Sequence, residues 1–362
     1  MSEILEFDGF VDVHVHFRDP GMPDAETLAS GSAAAAHGGF AAVVTMPNTT
    51  PAGDNAAWIR SQIEAEGLPV AVFPAACITK GRLGREVSGM EELADAGAAF
   101  FTDDGSYVAD SKAMEEAMAR AVDLNMCICE HAMDPQILAG GVIRDCPLAR
   151  KLGLPVIPVE TETAAIARDL SLCRETGCRL HIQHISTAPG VELVRQAQKE
   201  GLPVTAEATP HHLLFACEEL TADDANFKMA PPLGNREDRA ELRRAVKDGV
   251  LMFATDHAPH PARTKSSGFK ASANGIIGLE TAIPVTYSVM VLEEGMDVQA
   301  WARAWNTMPR AIIRDAFSRM PALGKTRVDA GAVRRVDLER FKSLSRNCPY
   351  GGMVFSCWPK EG

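Results

Sequence analysis

Residues 12–21 read Asp-Val-His-Val-His-Phe-Arg-Asp-Pro-Gly, and His14 and His16 are the pair in this chain best spaced to do chemistry. Side chains alternate along a strand, so two histidines two residues apart share a face. Two imidazoles on one face can ligate one metal ion, and Arg18 just beyond them can meet an anion. In isolation a His-x-His also describes two unrelated surface histidines. The other polar residues that end apolar runs decide between these readings. They are Thr102-Asp103-Asp104-Gly105, Glu130-His131, His181-Ile-Gln-His184 and Thr255-Asp256-His257. Together they offer nitrogen and oxygen ligands for one or two Zn²⁺-like ions, with no thiolate among them, which favours a hydrolytic over a structural site. Adjacent strand residues face opposite sides, so only one of Asp103 and Asp104 can join the set.

The elements that must position these residues alternate. Short β-branched runs at 10–17, 40–47, 70–78, 98–103, 126–131, 179–185, 203–208 and 250–255 read as eight strands. Between them, segments rich in Ala, Glu and Arg at 25–37, 56–66, 111–123, 161–176, 190–200 and 236–248 read as helices, several closed by glycine. Eight strand–helix repeats predict an α/β fold, a (β/α)8 TIM barrel, in which chemistry sits at the C-terminal strand ends, where the polar residues fall. Neither G-x-G-x-x-G after the first strand nor a phosphate-loop motif is present, which weighs against a nucleotide-binding open sheet.

Composition bounds the rest. A chain of 362 residues with 46% hydrophobic content can bury a large core, and its net charge of −12 argues against nucleic acid or an anionic membrane as partner. No run approaches a membrane span, and the first residues lack the basic and apolar regions of a secretory signal. The nine scattered cysteines contain no Cys-x-x-Cys and read as buried reduced thiols, so a cytoplasmic location is expected.

The strand-1 motif, Phe101-Thr-Asp-Asp-Gly105 and Ala254-Thr-Asp-His-Ala-Pro-His260 resemble the amidohydrolase superfamily. More narrowly, Met46-Pro-Asn-Thr49, Thr209-Pro-His-His-Leu213, Met229-Ala-Pro-Pro-Leu233 and Gly278-Leu-Glu-Thr281 make the chain similar to class I, bacterial-type dihydroorotases. The matches run in order from about residue 8 to residue 325, and Asn347-Cys-Pro-Tyr350 extends them. The resemblance implies zinc-dependent, reversible hydrolysis of L-dihydroorotate to N-carbamoyl-L-aspartate, a step of pyrimidine biosynthesis. It implies two Zn²⁺ per chain, or one. His14, His16 and Asp256 would hold the first, His131 and His184 the second, and Asp104 would bridge them. His16, Arg18, Asn48, His260 and Gly275 would bind substrate, and Asp256 would act as general base and then general acid. A homodimer is expected, and association with aspartate transcarbamoylase is open.

Other residues receive plainer readings. His37 reads as a helix-end residue. His181 is expected on the strand face opposite His184, against a helix, and His257 is expected to orient a loop. His211 and His212 read as supporting residues, and Glu207 receives no ligand role. The chain departs from the family at Ala230, Gly234 and Asn274, where Asn, Arg and Phe are usual, and at Arg263-Thr264-Lys265 in place of Glu-Glu-Lys. These departures fall on the loops after strands 7 and 8, and residues 261–274 read as a mobile lid. The barrel is expected to begin almost at once, without the N-terminal strands of the family's small β-sandwich. The division is then 1–327 for the barrel and 328–362 for a truncated C-terminal appendage. Two other functions fit parts of the pattern. Another cyclic amidase (allantoinase or dihydropyrimidinase-like) is disfavoured by the absence of a bridging lysine, and a non-catalytic partner of aspartate transcarbamoylase by the full ligand set.

Overall fold

The computed structural model describes residues 3–313 and 323–360. The end of the stretch assigned above to the barrel, 314–322, and the two residues at each terminus lie outside the described residues. Parallel strands β2 (Phe10–Val15), β3 (Phe40–Thr45) and β4 (Ala71–Pro74) form one run of the barrel wall. Strands β5 (Cys127–Glu130), β6 (Arg179–Ile182), β7 (Val204–Ala208) and β8 (Met252–Phe253) form the other. The predicted fourth strand, 98–103, is reduced to single parallel bridges that Phe101 makes to Ala76 and Ile128. It still links the two runs, and a bridge between Val15 and His257 closes the ring.

Helices cover the outside where predicted, among them Leu28–His37, Ser111–Asp123, Glu160–Thr176 and Arg236–Lys247. Polar side chains set their starts. Thr27 accepts from Ser30 N, Asp110 from Lys112 N and Asn235 from Asp238 N, each satisfying a first-turn donor. The core has two layers. Ile128, Leu180, Ile182, Ala206 and Phe253 pack outward under the helices, while Val11, Val13, Val44, Phe100, Cys129 and Met252 pack inward.

Two expectations are corrected here. The first residues do form a strand: β1 (Ile4–Asp8) pairs antiparallel with β9 (Lys325–Arg335), which also pairs with β10 (Val354–Pro359). β9 runs across the division placed at 327. Residues 261–274, the segment read above as a lid, contain two short helices, Ala262–Lys265 and Gly268–Ala271. All nine cysteines are buried free thiols. Among the described residues no helix is long and apolar enough to cross a membrane.

Candidate active site

Strand periodicity alone does not deliver the polar residues to one place. Between Asp12 and Val15 the register of β2 slips, three residues advancing against two on β3. Val13 therefore packs in the inner layer and Val15 in the outer one, and beyond the slip His14 and His16 turn inward together. Along β6 and its continuation the inward positions are His181 and Gln183. His184 has outer parity and reaches the site because its backbone is left-handed, φ +33°. Asp256 (φ +49°) and Arg18 (φ +58°) are left-handed as well. Non-glycine residues rarely adopt this region, at a cost of about 1–3 kcal/mol each, and it concentrates at functional sites.

Asp104 stands at the centre. Its Oδ1 lies 3.3 Å from His14 Nε2, 3.4 Å from His131 Nδ1 and 3.4 Å from His184 Nε2, and its Oδ2 lies 3.2 Å from His16 Nε2. Asp256 Oδ1 is 3.0 Å from His16 Nε2 and 3.5 Å from His14 Nε2. His131 Nδ1 and His184 Nε2 are 2.9 Å apart. Asp103 points away and accepts from Thr79 N (3.1 Å) and the Thr79 hydroxyl. All six side chains are buried.

The donor set fits a cation. Glu207 Oε1 accepts from His14 Nδ1 at 2.6 Å, which turns Nε2 toward the Asp104 carboxylate. His14 Nε2 and Asp104 Oδ1 are both buried without a hydrogen-bond partner. Burial opposes charge on His14, yet Asp104 and Glu207 hold its pKa well above the ordinary imidazole value. Burial likewise raises Asp104, but His14 and His131 outweigh it and hold the carboxyl well below its usual range. The cluster is built around positive charge. Two groups of ligand atoms, from His14, His16 and Asp256 and from His14, Asp104 and His184, lie close enough together to hold metal ions.

Arg18, Asn48 and His260 border the same cavity of about 220 Å³, as do Gly275, Ala230 and Asn274. Asn48 Oδ1 is 2.9 Å from His16 Nδ1 and sets that ring. Arg18 Nη2 lies 3.4 Å from His260 Nε2, and the His260 ring donates to Asn274 O at 2.7 Å. Burial, helped by Arg18, lowers His260 to about 3, so the ring is neutral at physiological pH. Burial also lowers Arg18, to about 10, which leaves the guanidinium charged.

The structure corrects the reading of His181 and adds to that of Glu207. His181 lies inside the barrel, with Nδ1 2.8 Å from Thr205 Oγ1 and Nε2 donating to Glu207 Oε2 at 2.8 Å. Glu207 thus braces His14 from below and also accepts from His184 N at 3.2 Å. Burial pushes its carboxyl up, but His14 and His181 pull it down to about 2. A lone carboxylate in the apolar β7, at inward parity, was the available signal. His37 bonds Glu280, His212 bonds Thr209 and Pro231, and His257 accepts from Gly278 N at 3.2 Å.

A family model described as dihydro-orotase-like matches residues 4–189, just over half of the chain. A dihydroorotase of Bacillus caldolyticus is 42% identical over 359 residues, covering 97% of this chain and 84% of that protein. One of Carboxydothermus hydrogenoformans is 40% identical over 362 residues, covering 97% and 83%. Among solved structures, an L-hydantoinase (dihydropyrimidinase) from Arthrobacter aurescens superposes with a TM-score of 0.86 at 25% identity, covering 99% of this chain and 83% of that one. The dihydroorotase of Saccharomyces cerevisiae in complex with 5-fluoroorotic acid has the same fold, with a TM-score of 0.78 at 16% identity over 99% and 98% of the two chains. With the identity carried across nearly its whole length, the chain belongs to the dihydroorotase family of the amidohydrolase superfamily.

Proposed function

We propose that this protein hydrolyses L-dihydroorotate reversibly to N-carbamoyl-L-aspartate, using two Zn²⁺. The observation that carries the reading is the charged Arg18 on the rim of an Asp104-centred histidine cluster, in one cavity sized for a single small ring. In our reading His14, His16 and Asp256 hold one zinc, His131 and His184 hold the other, and Asp104 serves both. When bound, the zinc ions would polarise the ring amide carbonyl and make water acidic enough to attack at neutral pH.

The chain's own residues do the rest. Arg18, Asn48 and His260 grip the ring carboxylate, with Arg18 offering a planar fork of donors. Neutral His260 adds no charge to compete with Arg18, and its ring donates to the carboxylate by giving up the N–H bond to Asn274 O. Gly275, with no side chain, lets the loop backbone approach the ring. Burial works against ionisation of Asp256, but His16 and His14 keep it a carboxylate through neutral pH. It takes the proton of the attacking water and passes it to the departing ring nitrogen. Arg18 favours an anionic ring over a neutral one, and Asp104, where a lysine would stand in a hydantoinase-type site, sets this site apart from that type. We read the sheet of β1, β9 and β10 as the reduced form of the family's small β-domain, with 328–362 its C-terminal part.

The test is loss of the ring's ultraviolet absorbance with L-dihydroorotate, allantoin and dihydrouracil, with and without added Zn²⁺. Zinc-dependent turnover of dihydroorotate alone is expected. Turnover of a neutral ring in its place would overturn the substrate, and no turnover by zinc-loaded protein would overturn the activity. In the same assay Asp256→Asn is expected to abolish turnover while leaving far-ultraviolet circular dichroism unchanged.

A further inference from the structure

The loop that carries His260 and Gly275 is bolted down from two sides, by residues to which no role has been given. Asn347 lies in the segment between β9 and β10 and is buried. Its Nδ2 donates to Ala258 O at 3.0 Å and to Gly275 O at 3.1 Å, and its Oδ1 accepts from His260 N at 3.1 Å. One side chain therefore ties the outgoing and returning halves of the loop together. Its own carbonyl accepts from Ile277 N at 3.0 Å, which anchors the returning half again.

Lys265 acts from within the loop. Its Nζ donates to Lys228 O at 3.1 Å, Ala273 O at 2.9 Å and Gly275 O at 2.8 Å. Three donors meet three carbonyls, and among the described residues no carboxylate pairs with this ammonium. The Gly275 carbonyl is shared by Lys265 and Asn347, while its N–H donates to Lys228 O at 3.0 Å. The halves are pressed close at this point: Gly275 has φ +125°, and a Cβ there would sit 2.6 Å from Ala258 Cβ and 3.1 Å from His260 Nε2. Within this arrangement the His260 ring lies 3.4 Å from Arg18.

We propose that Lys265 and Asn347 are positioning residues that hold His260 and Gly275 against Arg18, and so set the affinity for the anionic substrate. The proposal rests on the reading of Arg18 and His260 as the carboxylate grip. The competing reading is that Asn347 merely fastens the C-terminal segment. Such a fastening would lower the melting temperature without moving KM.

The experiment measures kcat and KM for L-dihydroorotate with the zinc-loaded full chain, comparing wild type, Asn347→Ala, Lys265→Met and Lys265→Arg. Each truncation is expected to raise KM about tenfold, the scale of one or two lost hydrogen bonds, with a much smaller change in kcat. Zinc content is expected to stay the same, and Lys265→Arg to recover most of the KM. A KM within about twofold of wild type in both truncations, or equal KM for Lys265→Met and Lys265→Arg, would overturn the proposal. If Asn347→Ala fails to fold, the Lys265 pair carries the test. If wild type does not turn over dihydroorotate, the functional reading has failed and the clamp is read by amide hydrogen exchange across 258–275. Faster exchange in Lys265→Met than in Lys265→Arg supports the clamp, and equal exchange overturns it.

Discussion

Glu207 shows how much of the site lies beneath its ligands. It is fully buried, holds the Nδ1 proton of His14 and receives a second imidazole donor from His181. Removing its charge would free His14 to rotate and to change tautomer. Carboxylates behind metal-ligating histidines commonly contribute about 10–100-fold in metal affinity. Glu207→Gln is therefore expected to weaken zinc binding on that scale, measured by competition with a chromophoric chelator, and unchanged affinity would refute the bracing role. The six proposed ligands were legible in the sequence because each imidazole or carboxylate ends an apolar run. The family resemblance chose Asp104 over Asp103, and the structure places Asp104 among the histidines and Asp103 on Thr79. Glu207 was harder to assign, since a buried carboxylate and an exposed one look alike in sequence until the neighbours across the barrel are known.

At the scale of elements, the strand ends depart from ideal geometry where the chemistry is proposed. The slip in β2 and the left-handed backbones at His184 and Asp256 turn side chains inward that plain alternation would send elsewhere. Alternation applied to β6 gave His181 the wrong side for this reason. Helix Leu28–His37 supports the β2 end through Gly31, where a Cβ would fall 2.4 Å from Phe17 Cδ1. Phe17 is buried, and its ring stands edge-on to His257, the neighbour of Asp256 in the chain, at 6.4 Å. Gly31→Ala would gain about 1 kcal/mol of helix propensity but lose about 1–3 kcal/mol to overpacking. A net fall in melting temperature is expected, with a larger fall for Gly31→Val. An unchanged melting temperature for Gly31→Val would mean that the contact relaxes freely.

For the whole molecule, a buried ion pair on the helix Glu160–Thr176 ties stability to pH. Burial raises the Asp169 carboxyl to about 7, although the Arg168 guanidinium 2.7 Å away pulls it down. The folded pKa is then above the unfolded value of about 3.9, so between these limits the folded state holds a proton that the unfolded state has lost. Asp169 therefore favours folding most at low pH, and its contribution declines as pH rises from about 4 to about 7. The melting temperature of Asp169→Asn relative to wild type is expected to increase from pH 5 to pH 8, and a difference independent of pH would show that the carboxyl is not perturbed. By itself the sequence determined the strand–helix alternation, the identities of the ligand candidates and their order along the chain, because hydrophobic period and residue chemistry are local properties. Only the tertiary structure decided that Ile4–Asp8 pairs with β9, that Glu207 braces His14 and that Asn347 clamps the loop of His260. Those partners lie far apart in the chain, and the pairing of two polar groups across such a distance leaves no periodic trace in either segment.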